Sequence, residues 1–536
     1  MPHLNRTGAL GALIAVGLVT SSCSFDGAED GTAATDGATG SGGTLSFQGG
    51  EPTSLVPHKD IGSQIAMATC ANLVEINKET QEFEPLAAES VESEDSQTWT
   101  ITLRDGWTFQ DGSPVTSASF VDAWNHAAYG PNAWQANGYF TSFVGYPDLN
   151  PTDGGEPAAT ELSGLTATDE RTITVELSEP NADFPKTLST NALCPLPPQA
   201  FEDPDAYEED PVSNGPYQVT SWDRNQQVVL ERWTDFQGDA AFSGEADTLV
   251  AKVYTSVDSA YTDLAAGNLD MIRNVPAAMV SRAESELDEG ALYQVSEQSK
   301  QFTFQVPTYV PELEDPRVRR AIAMSIDRES IASSLMQGNA EPSDSLVPPS
   351  IDSYVEGACD ACTFDPEQAR TLLEEAGGLP DGLTVTYNAD REQQLVQALG
   401  RQIGENLGVE VRLNPVMGTQ LSELTNTQQH EGIVFGLWGW TYKSPDQYLS
   451  QYETGGDGNL ATGYSNPEVD ELIAEARGEQ DEAVRQDLYA QAEADILEDM
   501  PAIPLFIPLD HGLQSEAAEL NDVQGDIQFY RADARG

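Results

Sequence analysis

Residues 432 to 438, Gly-Ile-Val-Phe-Gly-Leu-Trp, form a nearly continuous apolar run with no charged residue to mark a wet face. Such a run reads as a strand buried on both sides, which demands covering layers and places it in a parallel or mixed sheet. Elsewhere strands and helices alternate from Thr44 onward. Thr98 to Arg104 puts Trp99, Ile101 and Leu103 on one face, and Arg171 to Leu177 does the same with Ile173, Val175 and Leu177, the pattern of half-buried strands. Helices carry their own signals. In Phe364 to Gly378, Asp365 is a plausible N-cap, Pro366 sits at the first helical position and Gln368 completes a capping-box spacing. Ala369, Leu372, Leu373 and Ala376 then recur with helical period, and Gly377 offers a stop. Asn466-Pro467 starts a second such helix, and a third runs from about Ala483 to Glu498. No repeat of fixed period is present. The alternation predicts an α/β architecture.

The start of the chain places it outside the cytoplasm. Arg6 precedes an apolar run from Gly8 to Thr20, too short to span a bilayer comfortably, and Ser21-Ser22-Cys23 follows. Residues 1–22 read as a signal peptide. Cys23 is then the first mature residue and the acceptor of a lipid anchor; the other reading is an ordinary cleaved leader with a cysteine behind it. Residues 23–42, rich in Gly, Ala, Thr, Ser and acids, form a flexible linker that lets the folded part stand off the membrane.

Charge and motif content exclude several functions. With 25 basic and 88 acidic residues the net charge is −63, which opposes binding to nucleic acid or to an anionic membrane through bulk electrostatics. Beyond Cys23 the cysteines are Cys70, Cys194, Cys359 and Cys362, an even set that suggests disulfides in an oxidising compartment. Three connectivities are possible, and spacing favours Cys359 with Cys362 and Cys70 with Cys194. Cys359-Asp360-Ala361-Cys362 has no second pair at metal-ligand spacing. The five histidines, at 3, 58, 126, 430 and 511, stand singly. Without a nucleophile elbow, a Walker loop or a dinucleotide fingerprint, neither an enzyme nor a cofactor nor a metal site is expected. What stands out is aromatic: Trp438, Trp440 and Tyr442 follow the buried run, where open α/β sheets present ligand-binding loops. One tryptophan in the core and one facing a ligand is the expected division.

Together these motifs carry a resemblance. TWTITLRDGWTFQDGSPVTSASFVDAW, from Thr98 to Trp124, resembles the signature region of family 5 extracellular solute-binding proteins, the oligopeptide- and dipeptide-binding lipoproteins of ABC importers. Asn214-Gly215-Pro216-Tyr217 with Trp222, the G-x-L-D turn from Gly267 to Asp270, and Asp315 to Arg328 agree in the family's order. Phe364 to Gly377, Gly463 to Ile473 and Met500 to Pro508 complete a likeness that spans residues 44–510.

The resemblance implies a two-lobed, periplasmic-binding-protein-like α/β fold of the class II type, with an extra subdomain in the first lobe. The first lobe is expected at 43–302 plus 503–536, with the subdomain at about 56–190, and the second lobe at 303–502. Crossovers are expected near Gln301 to Pro307 and near Ile503 to Pro508, and Cys70 and Cys194 fall near the subdomain's edges. The implied function is a monomeric receptor that encloses a peptide or peptide-like solute and delivers it to permease subunits. Alternatives are a receptor for an oligosaccharide, opine or metal chelate, or a sensing lipoprotein without import. Implied ligand contacts are Glu51, Pro52 and Thr53 in the loop after the first strand, and Gly436, Trp438, Trp440, Tyr442 and Lys443 in the second lobe. One departure matters. Peptide-binding members carry an aspartate shortly after the Gly-Trp pair to hold the ligand's α-ammonium, whereas Thr441-Tyr442-Lys443-Ser444-Pro445 holds no carboxylate. Lys443 facing the cleft would favour a ligand carboxylate or a blocked amine; facing outward it is a solvated surface lysine. Asp446 reads as structural.

Overall fold

The computed structural model describes residues 43–152, 154–295, 298–390, 392–439, 442–455 and 461–535. The signal peptide, Cys23 and Trp440 lie outside the described residues. The chain enters along β1 (Thr44–Gly49) and then builds a separate four-stranded antiparallel sheet from β2 (Ala88–Glu92), β3 (Thr98–Leu103), β4 (Leu165–Ala167) and β5 (Thr172–Glu176), with α1 (Ser117–Ala128) packed over it. It returns through β6 (Tyr217–Asp223), β7 (Gln227–Arg232), β8 (Thr248–Val253), β9 (Met271–Ile272) and β10 (Leu292–Gln294). A second unit follows: β11 (Lys300–Gln305), β12 (Ala340–Pro342), α2 (Pro366–Glu375), β13 (Leu383–Asn388), β14 (Val411–Val416), β15 (Ile433–Gly439), α3 (Pro467–Gly478), α4 (Glu482–Asp499) and β16 (Ala502–Pro508). β17 (His511–Gln514) brings the chain back to the first.

Two large sheets result. The first is seven-stranded, in the order β10-β17-β9-β1-β8-β7-β6, with β1 parallel to both β8 and β9. The second is six-stranded, in the order β12-β16-β11-β15-β13-β14, and mixed, since β15 runs antiparallel to β11 and parallel to β13. Each has its own apolar core, so the molecule is two-lobed.

Local sequence accounts for much of this. β3 alternates as expected: Trp99 pairs with Val175 and Ile101 with Ile173 on β5, and these share a core with Trp124 of α1, whose indole nitrogen donates to the Leu193 carbonyl at 2.9 Å. Asp365 caps α2 by accepting from the Gln368 backbone N–H at 2.9 Å, and Asn466 caps α3 through the Glu468 N–H at 3.0 Å. The subdomain core runs past the expected edge at 190, through Tyr207 to Phe242. Disulfides join Cys70 to Cys194 and Cys359 to Cys362, with Cα separations of 6.1 and 5.3 Å. The same neighbourhood explains Gly215. Its N–H donates to the Thr69 carbonyl at 2.8 Å, and a Cβ there would press on the backbone of Thr69 and Cys70.

The lobe boundaries differ from those expected at 302 and 503. β11 and β16 pair with each other, Phe304 opposite Ile503 and Gln305 opposite Ala502, and Phe302, Phe304, Ile503 and Leu505 all belong to the second core. Both strands are therefore committed to the second sheet along their whole length. The chain crosses between lobes after β10 and before β11, and again between β16 and β17.

Candidate ligand cleft

β15 is not buried throughout, as its apolar sequence suggests. Ile433, Val434 and Phe435 are buried, whereas Gly436 and Trp438 are half-buried and Leu437 and Gly439 exposed. The cause is the neighbouring strand. β13 pairs with β15 only at Ile433 and Val434, while β11 follows it on the other side as far as Gly439. Among the described residues, the edge of β15 beyond Phe435 is left without a partner strand.

The first lobe supplies the opposite wall. Its G-x-L-D turn ties strands together, because the Asp270 carboxylate accepts from the Ser46 N–H (2.8 Å), the Ser46 hydroxyl (2.7 Å) and the Ser515 hydroxyl (2.8 Å). Those bonds join β9 to β1 and to the C-terminal segment. They fix Arg273 and Asn274 at the C-terminal end of β9, in the middle of the sheet, where α/β sheets place ligands. Both residues line two adjoining cavities. One, of about 350 Å³, is walled by Glu51 and Pro52 of the loop after β1. The other, of about 270 Å³, reaches Ser299 and Lys300 at the crossing, so the end of β15, where Gly439 faces Lys300, opens beside it. Tyr139 and Thr190 of the subdomain connect this second cavity to a third, of about 420 Å³, whose far wall includes Tyr442 and Arg477 of the second lobe.

The expected site residues fall unevenly around this cleft. Glu51 and Pro52 line it, and the Glu51 carboxylate also accepts from the Asn225 N–H at 2.7 Å. Thr53 does not: it is exposed, and its hydroxyl donates to Asp60 at 3.1 Å. Tyr442 lines the third cavity. Lys443 sits in a small contact between the subdomain and the second lobe, near Asp183 and Arg485. There Asp183 accepts from the Ser444 hydroxyl at 2.5 Å, and the Ala182 N–H donates to the Arg477 carbonyl at 2.7 Å. Asp446 is buried against Arg477, Oδ1 to Nε 2.7 Å, which braces α3, and it also lines the third cavity. Among the described residues no group of His, Cys, Asp and Glu could hold a metal ion.

The G-x-L-D motif ends at Asp270 and does not reach the charged residues that follow. The Arg273 guanidinium meets Asp526 at 3.1 Å, and Lys300 meets Asp510 at 2.7 Å, within one cavity. Enclosure by the cleft walls raises the Asp526 carboxyl, against the pull of Arg273 and Lys300, although 43% of its side-chain surface is open to the cleft. The available signal was a lone cation three residues after a recognisable turn in a chain short of cations.

Two α/β lobes, a subdomain on the first, and a cleft walled by both define the fold of two-lobed solute-binding receptors. Residues 82–459 match the family described as bacterial extracellular solute-binding proteins, family 5 Middle, and the chain belongs to that family, whose members act outside the cytoplasm. It is 28% identical over 485 residues to the periplasmic oligopeptide-binding protein OppA of Salmonella typhimurium, covering 85% of this chain and 86% of that one. To the oligopeptide-binding protein OppA of Bacillus subtilis it is 24% identical over 491 residues, 87% of each chain. In fold it is similar to the periplasmic murein tripeptide-binding protein MppA in its unliganded open form, with a TM-score of 0.78 at 23% identity, over 92% of this chain and 98% of that one.

Proposed function

We propose that this protein is an exported receptor, held at the outer face of the membrane by a lipid on Cys23, that encloses peptides between its lobes and hands them as a monomer to the permease of an ABC importer. The observation that carries the reading is the partnerless edge of β15 beyond Phe435 among the described residues. A strand edge offers N–H and C=O groups in fixed register, and an extended peptide completes it while leaving its side chains to roomy pockets. Glu51, Pro52, Gly436, Trp438, Tyr442 and, from its place in the sequence, Trp440 are the contacts proposed for that peptide. Thr53 takes a supporting role in the loop. Lys443, beside the contact between subdomain and second lobe, biases the adjoining end of the site away from a free α-ammonium. The relatives named as oligopeptide-binding proteins support the same ligand class.

Native mass spectrometry of the chain from Ser24 onward tests this. Co-purifying peptides should appear as a ladder of adducts that denaturation releases. One discrete non-peptide mass, or a protein that ignores every peptide pool offered, would overturn the peptide reading. A diacylglyceryl mass on Cys23 in membrane-extracted protein, and loss of peptide uptake on deletion, test anchoring and delivery separately.

A further inference from the structure

The subdomain and the second lobe meet where α3 ends, and the bonds between them are polar. Within α3 the Glu475 and Ala476 carbonyls both accept from the Glu479 N–H. The next two turn to the other side: the Arg477 carbonyl accepts from the Ala182 N–H at 2.7 Å, and the Gly478 carbonyl from the Ser96 hydroxyl at 3.2 Å. The last carbonyls of a helix have no partner inside it, so the subdomain caps a helix that belongs to the opposite lobe. Its two donors come from one tight cluster, since the Asn181 N–H donates to the Ser96 carbonyl at 2.7 Å. Beside them Asp183, only 3% exposed, accepts from the Ser444 hydroxyl at 2.5 Å and lies 3.6 Å from the Arg485 guanidinium of α4. Lys186, of the subdomain itself, stands 3.1 Å from the same carboxylate.

Among the described residues no apolar cluster spans this contact, because the subdomain and the second lobe keep separate cores. Hydrogen bonds of this kind exchange for water at small net cost, so the two sides can part with neither unfolding, and Asp183 keeps Lys186 when they do. The contact is also joined to the cleft. Pro180, Asn181 and Arg477 wall the third cavity, and Ser444 follows the end of β15 by five positions. The chain crossings already tie the lobes covalently, so bonds here bridge the cleft at a second place.

We propose that this contact is a latch that holds the peptide-free protein closed, so that solute enters only after Asp183 parts from Ser444 and Arg485 and α3 loses its cap. Its effect on binding rates rests on the peptide-receptor reading above; its effect on shape does not.

The test uses the whole mature protein, unfolded and refolded to strip bound ligand, as wild type, Ser444→Ala, Arg485→Gln and Asp183→Asn. Small-angle scattering without peptide should show a larger radius of gyration in each folded variant than in wild type. Stopped-flow tryptophan fluorescence with alanine peptides of three to five residues should then show association and dissociation both faster, by roughly threefold or more for loss of the Ser444 bond, since closure hinders entry and exit alike. A residue that only touched the peptide would raise the dissociation rate alone. That pattern, with an unchanged radius, overturns the latch. So does a lowered melting temperature with radius and both rates unchanged, which would make the contact a permanent joint. Ser444→Ala and Arg485→Gln alter the second lobe alone, so they decide the matter even if Asp183→Asn fails to fold. Failure of wild type to bind any of these peptides overturns the peptide reading, and scattering still decides the latch: a variant no larger than wild type overturns it, and a larger one supports it.

Discussion

Glu493 on α4 is a carboxylate held deep in the interior. It is 1% exposed, and Oε1 accepts from the Ser345 hydroxyl and the Leu346 N–H, both at 2.6 Å, and from the Val347 N–H at 3.2 Å, while Oε2 has no partner among the described residues. Burial pushes its carboxyl up to about 7, against the pull of those donors. The consequence for stability has a definite sign. The unfolded chain releases this proton near its ordinary value of 4.5, and the folded protein keeps it to about 7. The protonated folded state is therefore fully favoured below about 4.5, and its advantage is lost as pH rises through 7, by an amount on the order of 3 kcal/mol. Glu493→Gln keeps an accepting oxygen for the three donors and abolishes the titration. Urea unfolding of both proteins at pH 5 and pH 8 should show the variant gaining on wild type as pH rises; parallel pH profiles would mean that Glu493 is not the group responsible.

Among the elements, β15 links fold to function. Gly436 stands on the stretch that β13 leaves uncovered, and a Cβ built there meets nothing within 4 Å. The fold thus has no need of a glycine at this position, and a β-branched residue suits a strand better. Gly436→Val should leave thermal stability unchanged or slightly raised, yet weaken peptide binding by roughly tenfold or more, because its branched side chain fills the space over the free edge. Full affinity in the folded variant would move the ligand off this edge. The same strand shows what the sequence made legible. Elements whose signal is local were readable: β3 and β5 from alternation, α2 and α3 from Asp365-Pro366 and Asn466-Pro467, whose caps form as spelled. Membership of a sheet is not local. β11 alternates polar and apolar residues from Gln301 to Gln305, which marks a strand but not the sheet it joins, so its commitment to the second lobe, and with it the crossing that precedes it, could not be read from its own residues. β15 looked uniformly buried because its exposure depends on where β13 ends. Nothing local in the sequence marks Arg273, because its partner Asp526 lies 253 positions along the chain.

For the whole molecule the excess of acid sets a length scale. A surface of 25936 Å² with a net charge of −63 leaves about 400 Å² to each uncompensated charge, a mean spacing of about 20 Å. The Debye length is about 30 Å at 0.01 M salt, about 10 Å at 0.1 M and about 3 Å at 1 M. At the lowest salt each charge therefore feels its neighbours, and at 0.1 M the spacing already exceeds the screening length about twofold. Self-repulsion of this kind burdens the compact state, because unfolding lets like charges separate. The melting temperature in sodium chloride should accordingly climb between about 0.01 and about 0.2 M and then level off. The shape of the curve decides between causes. Strengthened burial of apolar surface by salt has no screening length and would continue to rise toward about 1 M. A plateau identifies relief of surface repulsion; an unbroken rise assigns the salt effect to the cores of the two lobes; and no rise below about 0.2 M would mean that the net charge burdens the unfolded chain as much as the folded one.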